Sequence, residues 1–188
     1  NHRLGVTPEM IWIRKRNNSS SYGSIVYYGV AANNFLSDSF QSGYGISNSV
    51  NPSNISSTTF EIPSGNNEVN ENGGTYIAHL FASLDGISKV GTYTGNGGTQ
   101  TIDCGFSNGA KFVLIKRVSD TGDWHFWDTE RGIVASNNDP FLEINTTQQQ
   151  VSSYDNIDPD NSGFIIKNTI NTLINGNGNS YLFYAVAA

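Results

Sequence analysis

The densest run of chemically capable side chains is Asp123-Trp124-His125-Phe126-Trp127-Asp128-Thr129-Glu130-Arg131, with carboxylates, an imidazole, two indoles and a guanidinium side by side. Two carboxylates across a sugar ring could run a glycosidase reaction. On a strand, however, neighbouring side chains alternate, so Asp123 and His125 point one way and Trp124 and Phe126 the other. That alternation is what a half-buried strand needs. It predicts a core strand with a polar outer face and an Asp128–Arg131 surface pair. A matching segment earlier in the chain carries Ser24, Val26 and Tyr28 in the corresponding places, so the acids are not repeated. No residue is assigned a catalytic role, and the chain is read as a non-enzyme.

The run Asp155-Asn156-Ile157-Asp158-Pro159-Asp160-Asn161-Ser162-Gly163 offers the one metal candidate. Asp158, Asp160 and Ser162 followed by Gly163 have the spacing of the first half of a calcium loop. The bidentate Glu expected seven residues after Ser162 is replaced by Thr169, and Pro159 restricts the curl. A Pro-Asp-Asn-Ser-Gly turn before a strand at Phe164 is the preferred reading, with no metal assigned. Tyr22, Tyr44 and Tyr154 lie in Ser/Asn/Gly-rich loops and are the candidates for stacking on a glycan. His2, His79 and His125 are too widely spaced to suggest a metal site, and His79 is expected to be a core or interface residue. Gly95-Asn96-Gly97-Gly98 lacks the Lys and helix of a phosphate loop. Cys104, the single cysteine, excludes a disulfide framework and is read as a small buried apolar residue. No cofactor is implied.

The elements that would hold these residues are strands. Charged residues make up 14% of the chain, against a usual quarter or so. The polarity comes instead from Asn, Ser, Thr and Gly, which favour turns and loops over helix interiors. Blocks of four to eight residues rich in Ile, Val, Tyr, Phe and Trp are bounded by turn formers. Met10–Ile13 is apolar throughout, as expected of a strand covered on both faces. Thr92–Thr94 and Thr99–Ile102 flank an Asn96-Gly97-Gly98 turn and read as a hairpin. Only Asn138–Gln150 leaves room for a short helix. A net charge of −6 argues against a nucleic-acid partner, which requires a basic surface. No run is apolar and long enough to span a bilayer as a helix.

The blocks recur. Pro8–Lys15 matches Ala110–Arg117, Ser24–Tyr28 lines up with Asp123–Trp127, and Gly29-Val30 with Gly132-Ile133. Phe35-Leu36 lines up with Phe141-Leu142, Phe60–Ile62 matches Phe164–Ile166, and Gly74–Ala82 matches Asn179–Ala187. The order is kept and the offset drifts only between about 99 and 106 positions, as loop insertions cause. The expected fold is all-β: two tandem antiparallel β-sandwich, jelly-roll-like repeats, residues 1–83 and 90–188, joined near Leu84–Lys89. The second copy opens with Val90–Asp103. The first has nothing comparable ahead of Leu4-Gly5-Val6, which suggests a processed or truncated product. The bare edge this leaves is expected at Met10–Ile13, covered by an upstream segment of a longer precursor, a neighbouring subunit or the second copy.

Several blocks carry a resemblance. Leu4–Ile13, Gly73–Ala82, Val90–Gly97, Gly105–Arg117 and Thr121–Trp124 together resemble an uncharacterised family of β-repeat proteins from tailed bacteriophages of marine and freshwater bacteria, including cyanophages. Its members are usually described as virion structural or tail-fibre-like proteins. The resemblance implies a place in a virion, an extracellular particle, as a piece of a tail fibre or appendage or a capsid decoration. It implies partners among other virion proteins and further copies of the chain, and it carries over no catalytic residue. A host-surface glycan-binding module and a tail-spike-like polysaccharide-degrading enzyme are the alternatives.

Overall fold

The computed structural model describes residues 1–17, 24–29, 34–37, 52–64, 69–167 and 173–188. The described residues are all-β, with antiparallel sheets and no helix. The chain divides into two compact units, Asn1–Ala82 and Ser83–Ala188.

Unit 1 holds β1 (Met10–Lys15), β2 (Ser24–Tyr28), β3 (Asn34–Ser37) and β4 (Tyr76–Phe81), in the sheet order β3-β2-β1-β4. Ile11 and Ile13 alternate onto the same face as Ile25 and Tyr27, and with Val69 they form the apolar core. Ile55, Phe60, Ile62, Tyr76 and Leu80 pack against it while remaining partly open. Ser53 and Glu61 exchange two backbone bonds of 2.9 Å, a lone bridge beside the sheet. The expectation of a bare edge at Met10–Ile13 is overturned. β1 is central, with Trp12 opposite Val26 on one side and His79 on the other, so this strand needs no partner.

Unit 2 holds β5 (Ser88–Thr94), β6 (Gln100–Asp103), β7 (Ala110–Arg117), β8 (Trp124–Asp128), β9 (Leu142–Glu143), β10 (Ile157–Asp160), β11 (Gly163–Ile166) and β12 (Ser180–Ala187). Five strands form one sheet, β5-β12-β7-β8-β9, and three form another, β10-β11-β6. One core draws Val113, Ile115, Trp127, Tyr181, Phe183 and Ala185 from the first and Ile102, Ile157, Phe164 and Ile166 from the second. β10 and β11 are joined by Asn161-Ser162, so Asp158–Asp160 is strand and the turn is two residues long. Gly163 is dictated by packing: a Cβ there would run into the Ile102 carbonyl of β6. Asn138–Gln150 forms β9 and a Phe141–Val151 bridge, not a helix.

The expected β5–β6 hairpin is corrected. β5 pairs with β12 and β6 with β11, so the Asn96–Gly98 turn carries the chain from one sheet to the other as an arch. The loop after Ile174 holds it open. Gly97 N–H donates to the Asn175 carbonyl (3.0 Å), Asn96 N–H to Asn175 Oδ1 (3.0 Å), and Gly95 N–H to the Asn179 carbonyl (2.8 Å). Those bonds take up the backbone that a hairpin turn would need for itself.

The sheet order β3-β2-β1-β4 has the same sequence order as β9-β8-β7-β12, and single hydrogen bonds recur. Arg16 N–H donates to the Thr75 carbonyl (2.7 Å) as Val118 does to Ser180 (2.8 Å). Gly29 N–H donates to Glu9 (2.7 Å) as Thr129 does to Lys111 (3.0 Å), and His2 N–H to Thr58 (2.7 Å) as Cys104 does to Ser162 (2.8 Å). Glu71 N–H reaches the Tyr76 hydroxyl (2.9 Å) as Gly176 N–H reaches that of Tyr181 (2.8 Å). Met10 faces Tyr28 and Phe112 faces Asp128, so Ser24–Tyr28 answers to Trp124–Asp128. By strand register Ser24 falls at the place of Trp124 and Gly29 at that of Thr129, where the sequence blocks set them against Asp123 and Gly132.

Candidate functional site

The Asp123–Arg131 segment does not make an open acid pair. Asp123 Oδ1 accepts from Asn145 Nδ2 (2.8 Å), and Asp128 binds both the backbone and the guanidinium of Arg131, which also lies over the Phe126 ring. The expected Asp128–Arg131 pair is therefore present. The polar outer face is not: His125 lies between β7 and β9, opposite Ile115 and Glu143, and is 1% exposed. Strand β8 is covered on both faces, since Trp124 and Trp127 are equally buried. Neither ring nitrogen of His125 has a hydrogen-bond partner among the described residues, although Nε2 stands 3.5 Å from Glu143 Oε1. Burial outweighs the pull of Asp123 and holds the imidazole pKa down at about 4. Lys116, also fully buried, donates Nζ to the Gly122 carbonyl. Burial lowers its pKa to about 8 against the opposing pull of Asp123. This is a sealed polar inclusion that keeps its imidazole neutral.

The calcium-like spacing is spent on internal bonds. Asp158 Oδ2 pairs with Lys167 Nζ (2.6 Å) and its Oδ1 accepts from Ser136 N–H (2.8 Å). Asp160 accepts from both N–H and Oγ of Ser162, bonds that lower its pKa. Among the described residues no cluster of His, Cys, Asp or Glu is placed to hold a metal ion. Thr169 lies outside the described residues. The buried carboxylate of Asp139, which sequence reasoning missed, ties three backbone N–H groups, those of Val134, Asn156 and Ile157. Burial nevertheless raises its pKa. Cys104 is buried, and desolvation pushes its thiol up to about 12, which makes it a poor nucleophile.

Of the aromatic candidates, Tyr154 is exposed, while Tyr22 and Tyr44 lie outside the described residues. The structure brings together a set the sequence did not single out. Trp12, Arg14, His79 and Phe81 line a half-open cavity of about 290 Å³ on β1 and β4. His79 is exposed, so of the two expected roles, core or interface, the core one is corrected.

The most distinctive feature is an edge. β12 is flanked by β7 and β5, and β11 by β10 and β6. β4, by contrast, is the last strand of its sheet, and the Ser53–Glu61 bridge continues into no third strand among the described residues. Tyr181 and Leu182 are fully buried, but Tyr76 is half-buried and Ile77 is 42% exposed. Phe164 and Ile166 are fully buried, but Phe60 and Ile62 are half-buried. A sheet edge with apolar residues beneath it is a template for another strand.

No curated protein and no solved structure matches the chain. The match that is found spans the whole of it: the chain belongs, over residues 1–188, to the family described as a domain of unknown function (DUF7483).

Proposed function

We propose that the chain is a non-enzymatic structural component of a tailed-phage particle, built from two tandem copies of one β-sandwich unit. It serves as a building block of a symmetric assembly, in a tail fibre, a tail appendage or a capsid decoration. Support for the duplication comes from the recurring strand order and the recurring single hydrogen bonds. Support for the sandwich comes from the shared core between the two sheets of unit 2. The observation that carries the assembly role is the exposed Ile77 beside half-buried Tyr76 on β4, the last strand of its sheet among the described residues, a surface of the kind that subunit contacts seal. The phage setting rests on the resemblance of the sequence blocks. Electron microscopy of purified particles with an antibody against the chain tests the reading. Label at a fixed position on the tail or capsid supports it, and particles without the chain overturn it.

A second reading, a host-surface glycan contact, is favoured by the Trp12–Arg14–His79–Phe81 cavity, where two aromatic rings 5.2 Å apart and a guanidinium could hold a sugar. Loss of glycan-array binding on Trp12→Ala would support it. Release of reducing ends, abolished by changing Asp123, Asp128 or Glu130, would instead make the protein an enzyme.

A further inference from the structure

In unit 2 the loop before β7, the loop after β8 and the β10–β11 turn meet around a half-open cavity of about 400 Å³. That volume lies within the range of about 300–1,000 Å³ usual for small-molecule sites. Asn108, Thr129, Asp160 and Asn161 give it polar walls, and Ile133 and Pro159 give it an apolar patch. Backbone bonds fix the frame. Cys104 N–H and Phe106 N–H both donate to the Ser162 carbonyl (2.8 and 3.1 Å), and Gly109 N–H donates to the Asn161 carbonyl (2.8 Å). The loop is pressed so close to the turn that a Cβ at Gly109, where φ is +77°, would sit 2.8 Å from the Asp160 carbonyl oxygen. Thr129 is held in turn by its N–H bond to the Lys111 carbonyl (3.0 Å).

The backbone here is spent, and the side chains are not. Those of Asn108, Thr129 and Asn161 make no hydrogen bond to any described residue. Asp160 gives Oδ1 to the N–H and Oγ of Ser162 (2.9 and 2.6 Å) and keeps Oδ2 in reserve. The two Ser162 bonds favour its ionised form. The walls therefore offer two carboxamides and a hydroxyl, which both donate and accept, and a carboxylate oxygen, which only accepts. Among the described residues no Lys, Arg or His lines the cavity, so an anionic ligand would find no counter-charge. No aromatic ring lines it either, so a nucleobase would find no stacking partner. A pyranose suits both halves of the lining. Its hydroxyls donate to a carboxylate and accept from carboxamides, and its C–H face can lie on Ile133 and Pro159.

We infer that this cavity is a binding site for a neutral saccharide, with Asp160 Oδ2 and the carboxamides of Asn108 and Asn161 taking its hydroxyl groups and Thr129 completing the wall. A fixed frame keeps the ordering cost of binding low. The site is separate from the Trp12–Phe81 cavity and rests on neither the phage setting nor the duplication.

The test titrates the isotope-labelled full chain with glucose, galactose, mannose and N-acetylglucosamine in turn and follows its amides by NMR. At least one sugar is expected to bind saturably and to shift the amides of Asn108–Ala110, Thr129 and Asp160–Ser162. Asp160→Asn keeps an acceptor for Ser162 and removes the charge. It should weaken binding about tenfold, the worth of one hydrogen bond to a charged group. Thr129→Ala leaves the β10–β11 turn untouched and should weaken binding about threefold, so the site is tested even where Asp160→Asn disturbs the turn. Amides that none of the four sugars shifts would overturn the site. So would binding that both variants leave unchanged. Shifts confined to Trp12–Arg14 and His79–Phe81 would also overturn it, since the sugar would then occupy the other cavity. A response to methylammonium chloride but to no sugar would make Asp160 a cation contact and overturn it as well.

Discussion

At the same place in their sheets, the two units make opposite choices. Ile25, opposite Ile13 on β1, is fully buried in an apolar core, whereas its counterpart His125, opposite Ile115 on β7, is a buried imidazole. Arg14 is exposed, whereas its counterpart Lys116 is fully buried. Unit 1 has the more conventional core and the open edge. Unit 2 carries a polar inclusion, and its arch flanks β12 and β11. A buried neutral histidine and a desolvated lysine each cost stability. The unit that carries them is the one whose core-facing positions on β12 and β11, Tyr181, Phe183, Ala185, Phe164 and Ile166, are all buried.

The comparison breaks first on the paired phenylalanines. Phe164→Ala should cost unit 2 about 3–5 kcal/mol, the range for a buried aromatic. Phe60→Ala, starting from a half-covered ring, should cost unit 1 no more than about half of that. Denaturant titrations followed by amide exchange in each unit measure both, and equal losses would mean that the edge of unit 1 is sealed after all. Next comes acid. His125 has its pKa at about 4 in the folded state, against about 6.5 when unfolded. The unfolded chain therefore binds the extra proton. This group's stability contribution is intact above about pH 6.5 and drains as pH falls toward 4, by on the order of 3 kcal/mol. Unit 2 should weaken over that window. His125→Ile should flatten the pH profile, and Ile25 gives unit 1 no such slope. A pH-independent unit 2 would place the imidazole in contact with water.

A smaller effect separates the counterparts Asp158 and Ser53, which face Ile165 and Glu61. Asp158→Ala removes the Lys167 pair and the Ser136 bond and should cost about 2 kcal/mol. Ser53→Ala should stay within about 0.5 kcal/mol. Thermal melts of the two variants decide this. Last, a chelator should leave the melting temperature unchanged, because Asp158 and Asp160 already have protein partners. A fall of several degrees would reveal a bound ion.

The apolar blocks around Ile11, Val113 and Phe183 announced their strands because β-branched and aromatic residues between turn formers have few other uses. Two things were not legible. The first was the partner of β5: the Asn96-Gly97-Gly98 turn suits a hairpin locally, and only Asn175, nearly eighty residues away, diverts it. The second was the setting of His125. Alternation assumes one wet face, and β8 has none, so its polar residue was assigned outward. The single-residue slip in aligning Ser24 with Asp123 added to this, since a shift of one exchanges the two faces of a strand. Of the candidate sites, Asp158 and Asp160 were seen as ligands because their spacing is visible, whereas Lys167, which claims Asp158, is nine residues away. The Trp12–His79 pairing joins positions far apart in the chain and has no local signature.

The pairing of β5 with β12 also sets a timetable for synthesis. β5 lies early in unit 2 and its partner is the last strand of the chain. At roughly 5–20 residues per second, β5 spends several seconds outside the ribosome with no proper neighbour. The nearest finished strand in sequence is β4, the last strand of its sheet among the described residues. If β5 docked there in the register it uses with β12, Gly91 would face Ala78 and leave a void where a phenyl ring belongs. The β5–β12 pair, by contrast, is completed only when Phe183, the last of the rings that pack on β5, has been made.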